Sequence, residues 1–428
     1  MTINQSAGAQ HPQPASGPAA ARTKRSPRRP GAGPTQSPRS AQTPPAAQSP
    51  QPAQASGRRA PRAAGGALDA RIPPPQVRIG SPVSLLAVIP GLLGFEPGHS
   101  IVVVGTEPPG AQVRVTLRYD LPDPGRPRAA AALAGHAVSV LAAQGITAAV
   151  AVGYGADAAV SPVAESLREQ AAEAGITVTE LLRAENGRYW SYVCADPECC
   201  PAEGTPFDIA GHPAARALAS AGGRVLADRD ELAATLAAAG GQLGAAMRRA
   251  TAQARAQVAR CVARLDRAGM RVSPSRLTAA LGPLAVADAV RRYREGEEVS
   301  NERAAWLIVA LREVRVRDDA WARMDPEHRA AHLRLWSHVT RLARPGYVAA
   351  PASLLAFVAW QDGNGALANI ALDRALLDNP KYSMARLLRE ALDSGAPPSL
   401  ARVPMTPEEV AAAYDEAEAT VPPARSRS

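Results

Sequence analysis

Between residues 101 and 193 short β-branched runs alternate with alanine-rich helical stretches, and beyond residue 225 those runs disappear. Ile101 to Val104 and the alternating Val113, Val115, Leu117 and Tyr119 predict two strands, separated by a Pro-Pro-Gly turn at 108–110, that pair as a hairpin. Residues 128–143 are patterned as a helix with Gly145 at its C-terminal cap. A strand at 146–152, a second helix at 158–173 closed by Gly175, and a strand at 176–182 follow. That order is the rhythm of right-handed crossovers, which place parallel strands side by side. Glu185-Asn186-Gly187 is a turn signal that returns 188–193 as an antiparallel edge strand. With Ser81-Pro82 opening a helix, the expectation is an α/β domain over residues 76–225, its sheet mixed but mostly parallel and flanked by helices.

Residues 226–420 predict an all-α domain. In 243–265 the apolar positions Leu243, Met247, Ala250, Ala254, Val258, Cys261 or Val262, and Leu265 recur every three or four residues, which places Cys261 in a packed core. Further helices are expected at 275–294, 301–314, 326–343, 351–362, 365–378 and 382–394. Near 351–380, Ala356, Gly363, Ala368, Ala375 and Pro380 fall at the small-residue and terminal-proline positions of a tetratricopeptide-like hairpin. One unit does not make a solenoid, and Trp360 is not at that repeat's tryptophan position.

A chain of 428 residues exceeds one ordinary core, and its net charge of +9 is unevenly placed. Ten basic residues and one acid precede residue 76, which leaves 38 of each sign beyond it. Residues 1–75 lack Phe, Trp and Tyr and are rich in Pro, Ala and Gln, so they cannot bury enough apolar area to offset ordering and are expected to form a disordered basic tail. Residues 421–428 are expected to be disordered too. Spaced cationic clusters suit weak polyanion binding, although without interleaved aromatics a solvating extension explains them as well. Ser26-Pro27, Ser37-Pro38, Thr43-Pro44 and Ser49-Pro50 would be open to a kinase. Nothing in the tail has the apolar stretch of a secretion signal, and no run has the length of a membrane span, so a cytoplasmic location is expected. There thiols stay reduced or bind metal.

Candidate chemistry is concentrated in residues 189–212. Cys194, Cys199 and Cys200, with His212 twelve residues further on, could supply a closed, structural Cys3His zinc site. The spacing departs from the usual two to four residues between ligands. Thiol redox chemistry and a merely structural loop therefore remain open beside zinc, and no cofactor is assigned. Gly153-Tyr154-Gly155 follows a strand and opens a helix as a dinucleotide loop does, with Glu180 read as the ribose-binding acid at the end of the next strand. Short Gly-x-Gly turns are also ordinary connectors. Arg118 and Asp120 stand at the end of the second strand, where α/β proteins place ligands and where solvated charges are also common. His328 and His332 are one helical turn apart but lack a zincin glutamate between them, which favours packing.

The runs Ser81 to Pro90, Leu93-Gly94-Phe95-Glu96-Pro97, Ser100 to Val104, Leu117 to Pro122 and Tyr189 to Pro206 resemble an actinobacterial family known as domain of unknown function family 4192. The resemblance spans roughly residues 78–400 and implies a shared fold with no known activity. Two function classes stand at this point. One is an interaction or scaffold protein that meets a protein partner through its helical half. The other is a ligand- or nucleotide-binding α/β protein or enzyme that uses the strand ends and the cysteine loop.

Overall fold

The computed structural model describes residues 2–5, 80–107, 112–220, 225–400 and 405–420. The expected disorder of the basic tail beyond Gln5 and of 421–428, the kinase motifs and the 108–110 turn lie outside the described residues. Within the tail, Thr2–Gln5 forms strand β1, which corrects the expectation of an unstructured segment from the first residue.

The sheet comprises β1, β2 (Ser100–Glu107), β3 (Gln112–Asp120), β4 (Ala148–Tyr154), β5 (Thr177–Glu185), β6 (Arg188–Ser191) and β7 (Thr205–Pro206), in the order β1-β3-β2-β4-β5-β6-β7. Its strands are mixed, but the expected parallel majority is wrong. Only β1/β3 and β4/β5 are parallel; the other four neighbouring pairs are antiparallel. The hairpin is the cause, because β2 folds back between β3 and β4 and runs against both. The crossover from β3 to β4 through α2 (Pro127–Ala143) therefore skips a strand, and only the step through α3 (Asp157–Glu173) joins adjacent parallel strands. Asn186 and Gly187 both take positive φ, as the tight turn of β5 into β6 requires.

Side-chain alternation divides the molecule into layers. Ile101, Val103, Leu117, Ala149, Ala151 and Leu181 point to one face and form a core with Ala134, Leu141, Val163 and Leu167 of α2 and α3. Val102, Val104, Val150, Val152 and Leu182 point to the other, against α1 (Pro82–Leu93) and the helical half. Helix α1 starts as expected, with Ser81 Oγ accepting the Ser84 N–H at 3.2 Å, and it ends at Gly94, which takes the left-handed conformation.

The chain continues through α4 (Pro213–Ser220), α5 (Arg229–Thr235), α6 (Gly241–Arg267), α7 (Pro274–Arg294), α8 (Asn301–Ala310), α9 (Val314–Ala322), α10 (Arg329–Leu342), α11 (Ala349–Gln361), α12 (Gly365–Asp378), α13 (Ser383–Asp393) and α14 (Pro407–Thr420). The expected helix at 301–314 ends at Ala310, and α4, α5, α9 and α14 were not legible in the pattern. Cys261 is half-buried rather than in the core, because the buried stripe of α6 stops at Val258.

Every residue from Ala349 to Trp360 is buried. Alanines at 352, 356, 368, 371 and 375 are all fully enclosed, so α11 and α12 pack closely with little side chain between them. Asp378 closes this hairpin by accepting N–H groups from Gly346, Val348 and Ala349 at 2.6, 2.8 and 3.1 Å, a carboxylate on the positive end of α11. The same core that holds Trp360 reaches Val102 and Leu182, and the described residues all fall in one compact unit. The change of rhythm near residue 225 is therefore a change of secondary structure without a break in packing.

Candidate functional site

A cavity of about 330 Å3 opens at the carboxyl ends of β4 and β5. Leu86 and Pro90 of α1 form one wall, Glu96 to His99 the second, Tyr154 and Gly155 the floor, and Ala184 to Gly187 with Phe207 and Ile209 the remainder. Backbone hydrogen bonds fix the parts outside α1: Glu96 N–H donates to Leu226 O at 2.9 Å, Leu121 N–H to His99 O at 3.1 Å, Gly155 N–H to Ala184 O at 3.1 Å and Phe207 N–H to Gly187 O at 3.0 Å. His99 carries a φ of 43°, in the left-handed region that few residues other than glycine adopt.

Two polar groups are placed without compensation. The Tyr154 hydroxyl is buried and has no hydrogen-bond partner. Burial, and then the nearby Glu96 charge, raise its pKa far above that of an ordinary phenol, so it stays a donor. Ser100 Oγ, on β2 and in register with Tyr154, is likewise buried and unsatisfied. Burial also raises the Glu96 carboxyl, which has no ion-pair partner among the described residues. Buried polar groups normally find partners; of these two hydroxyls, that of Tyr154 belongs to a residue that lines the cavity and that of Ser100 does not.

The sequence candidates divide around this cavity. Tyr154 and Gly155 line it, but Gly153 does not. A Cβ on Gly153 would strike Val160, so that glycine lets α3 lie close on β4 and is not there for a ligand. Glu180 does not end its strand: it pairs with Val150 in the middle of the sheet, five residues before the end of β5, and accepts a hydrogen bond from Ser191 Oγ at 3.0 Å. The helix N-terminus that would receive a pyrophosphate carries Asp157. The parts of a dinucleotide site are thus not brought together. Arg118 is buried, forms an ion pair with Asp120 and donates to Gly98 O at 3.4 Å, and so holds the wall that bears His99.

The cysteine loop leaves the sheet after β6. Sulfur atoms of Cys194, Cys199 and Cys200 lie within 4.8 Å of one another. His212 does not join them; its Nδ1 accepts the Ala214 N–H at 3.2 Å beside the start of α4. A hydrogen bond from the Asp196 backbone, and then one from Cys200, lower the Cys194 thiol. Burial, and then donation to Cys194, push Cys200 up to about 12.

The chain matches the family model described as Domain of unknown function (DUF4192) over residues 82–399, which is most of its length. It belongs to that family. No curated protein and no solved structure matches the chain. The DUF4192 span contains the strand-end cavity and the cysteine loop and leaves out the basic tail.

Within the DUF4192 span, Arg183 was missed by sequence reasoning. Its guanidinium lies 3.6 Å from the centre of the Trp190 ring, its partner across β5 and β6, and bonds Glu185 at 2.7 Å and Asp157 at 3.5 Å. It thereby neutralises one acid of the cavity rim. The only available signal was that residues 183 and 190 are symmetric about the Asn-Gly turn.

His328 and His332 converge on a carboxylate. Asp325 Oδ1 bonds the His328 ring at 2.8 Å, and Oδ2 meets Arg294 and, at 3.4 Å, His332 Nε2. Burial alone would raise Asp325, but hydrogen bonds from the His328 ring and backbone and the charge of Arg294 bring it down to about 2. Because the folded value lies below the unfolded one, this stabilisation is complete above roughly pH 4 and fades as pH falls toward 2. We expect Asp325→Asn to flatten that acid limb in urea melts between pH 5 and 2. Superimposable acid limbs would show that the pair is inert.

Proposed function

We propose that this protein binds a small uncharged or cationic molecule in the strand-end cavity. The observation that carries the reading is a preformed space of about 330 Å3 lined by Glu96 and by Tyr154, whose hydroxyl is buried and unpartnered. Its lining includes Glu96, which has no ion-pair partner among the described residues, and Glu185, whose charge Arg183 balances, and no Arg or Lys, so it suits hydrogen-bonding groups or a cation and opposes phosphate. Nucleotides are the less favoured ligands for that reason.

The test is a thermal-shift series on full-length protein with primary amines and neutral polyols against ATP and NAD. Members of the first set should stabilise wild type, and Tyr154→Phe should weaken them about tenfold, the worth of one buried hydrogen bond. Stabilisation by nucleotides alone, or unchanged binding by Tyr154→Phe, would reject the reading.

A protein-binding role through the helical half is a second reading. It is favoured by Leu377 on α12 and Leu387 on α13, which are 86 % and 66 % exposed. In that reading α11 and α12 are a tetratricopeptide-like unit whose small residues build the core. A cytoplasmic setting suits either role, since all four cysteines are free thiols. No described helix is long and apolar enough to cross a membrane.

A further inference from the structure

The loop at 192–204 is held in shape without a hydrophobic core of its own. Ser191 Oγ accepts the Cys194 N–H at 3.2 Å, and Asp196 accepts the Cys200 N–H through its carbonyl at 2.7 Å and the Glu198 N–H through its carboxylate at 2.9 Å. Trp190 Nε1 donates to Ala202 O at 3.0 Å, and Arg188 donates to Gly204 O at 2.7 Å. Gly204 itself lies against the Trp190 ring, where a Cβ would not fit. These bonds tie both ends of the loop to β6 and turn its three thiols toward one point.

Packing does not explain that convergence, because Cys199 is exposed and Cys194 and Cys200 are only half-buried. A small apolar-like side chain that stays outside a core contributes little to stability, so chemistry is the better account. A disulfide would use two sulfurs and leave the third without purpose. A metal uses all three. At zinc–sulfur bonds of about 2.3 Å, tetrahedral sulfurs stand about 3.8 Å apart, so sulfurs already within 4.8 Å of one another need to close by about 1 Å at most. The Asp196 N–H directed at Cys194 is the kind of outer hydrogen bond that holds a thiolate ligand in place.

We propose that Cys194, Cys199 and Cys200 form a three-thiolate site for a thiophilic divalent ion of the zinc class, with a fourth coordination position open to an outside ligand. Soft sulfur donors select such ions over magnesium or calcium. Three protein ligands with an open position differ from the closed four-ligand arrangement of a structural site. Each thiol loses its proton to solvent as its sulfur–metal bond forms, so binding becomes weaker as pH falls.

The experiment uses full-length protein, reduced and stripped with a chelator, then titrated with Zn2+ and separately with Cd2+. Wild type should bind one ion per chain and show a thiolate-to-cadmium absorption band. Cys199→Ser, at an exposed position where folding is not at risk, should weaken Zn2+ by at least tenfold and reduce the band, while Cys261→Ser should match wild type. Circular dichroism of each variant confirms that it is folded. No uptake by folded, reduced wild type overturns the proposal. So does equal uptake by Cys199→Ser, or rapid closure of a disulfide under dilute peroxide with no metal bound beforehand, which would assign the loop to redox chemistry. Tyr154→Phe should bind Zn2+ normally, so failure of the cavity reading leaves this result standing.

Discussion

Asp120→Asn should cost about 3 kcal/mol of stability, the lower end of what is lost when a buried ion pair loses one partner. Arg118 is 4 % exposed, and burial pulls its pKa down even against the attraction of Asp120. Without that carboxylate its charge stays inside, with the Arg229 charge opposing it. The opposite change, Arg118→Met, should cost clearly less, because the side chain of Asp120 is one-third exposed and can be hydrated where it stands. Arg118 also donates to Gly98 O, so both variants should loosen the wall of residues 96–99 and weaken cavity ligands. Urea midpoints at constant slope measure the difference. Equal costs for the two substitutions would contradict a pair whose strain lies on the guanidinium side.

Trp360→Ala is expected to have the largest effect, about 3–5 kcal/mol, as for other fully enclosed tryptophans. Trp360 lies on the helix that is buried along nearly its whole length, in the core that continues to Val102 and Leu182 on the sheet. The loss should therefore lower the melting of the entire unit. Helix content and the fluorescence of sheet-bound Trp190 should fall in one coincident transition in wild type and variant alike. If the variant melts helices early while Trp190 and ligand binding persist, the helical half is energetically separate and the shared core is a contact of little consequence.

The elements most plainly written in the residues were those governed by near neighbours. Ser81 before Pro82, Gly145 and Gly175 after their helices, and Asn186-Gly187 between strands all act through a single cap or turn, and each holds. Patterning failed where the deciding partner is distant. The expected helix at 301–314 overruns α8 by four residues and α9 is missing from the pattern, because what ends one helix and starts the next is their packing against different neighbours, α6 for α8 and α7 for α9. Gly153 looked like a ligand-approach glycine because its use, room for Val160, is invisible until α3 packs. Glu180 looked like a strand-end acid because the length of β5 is set by its pairing with β4 and β6.

Alternation, helical spacing and capping residues were enough to dictate a strand-and-helix first part, a helical second part and a loop carrying three thiols, because those signals act over a few residues. Strand order needed the long-range hydrogen bonds of β2 with both β3 and β4, which no local pattern encodes. The same long-range packing brought Glu96, Tyr154 and Phe207 to one cavity from α1's trailing loop, β4 and the segment after β7. It also turned His212 away from the cysteines and fused both halves around one core, since burial of apolar surface depends on what lies opposite in space and not on what lies next in the chain.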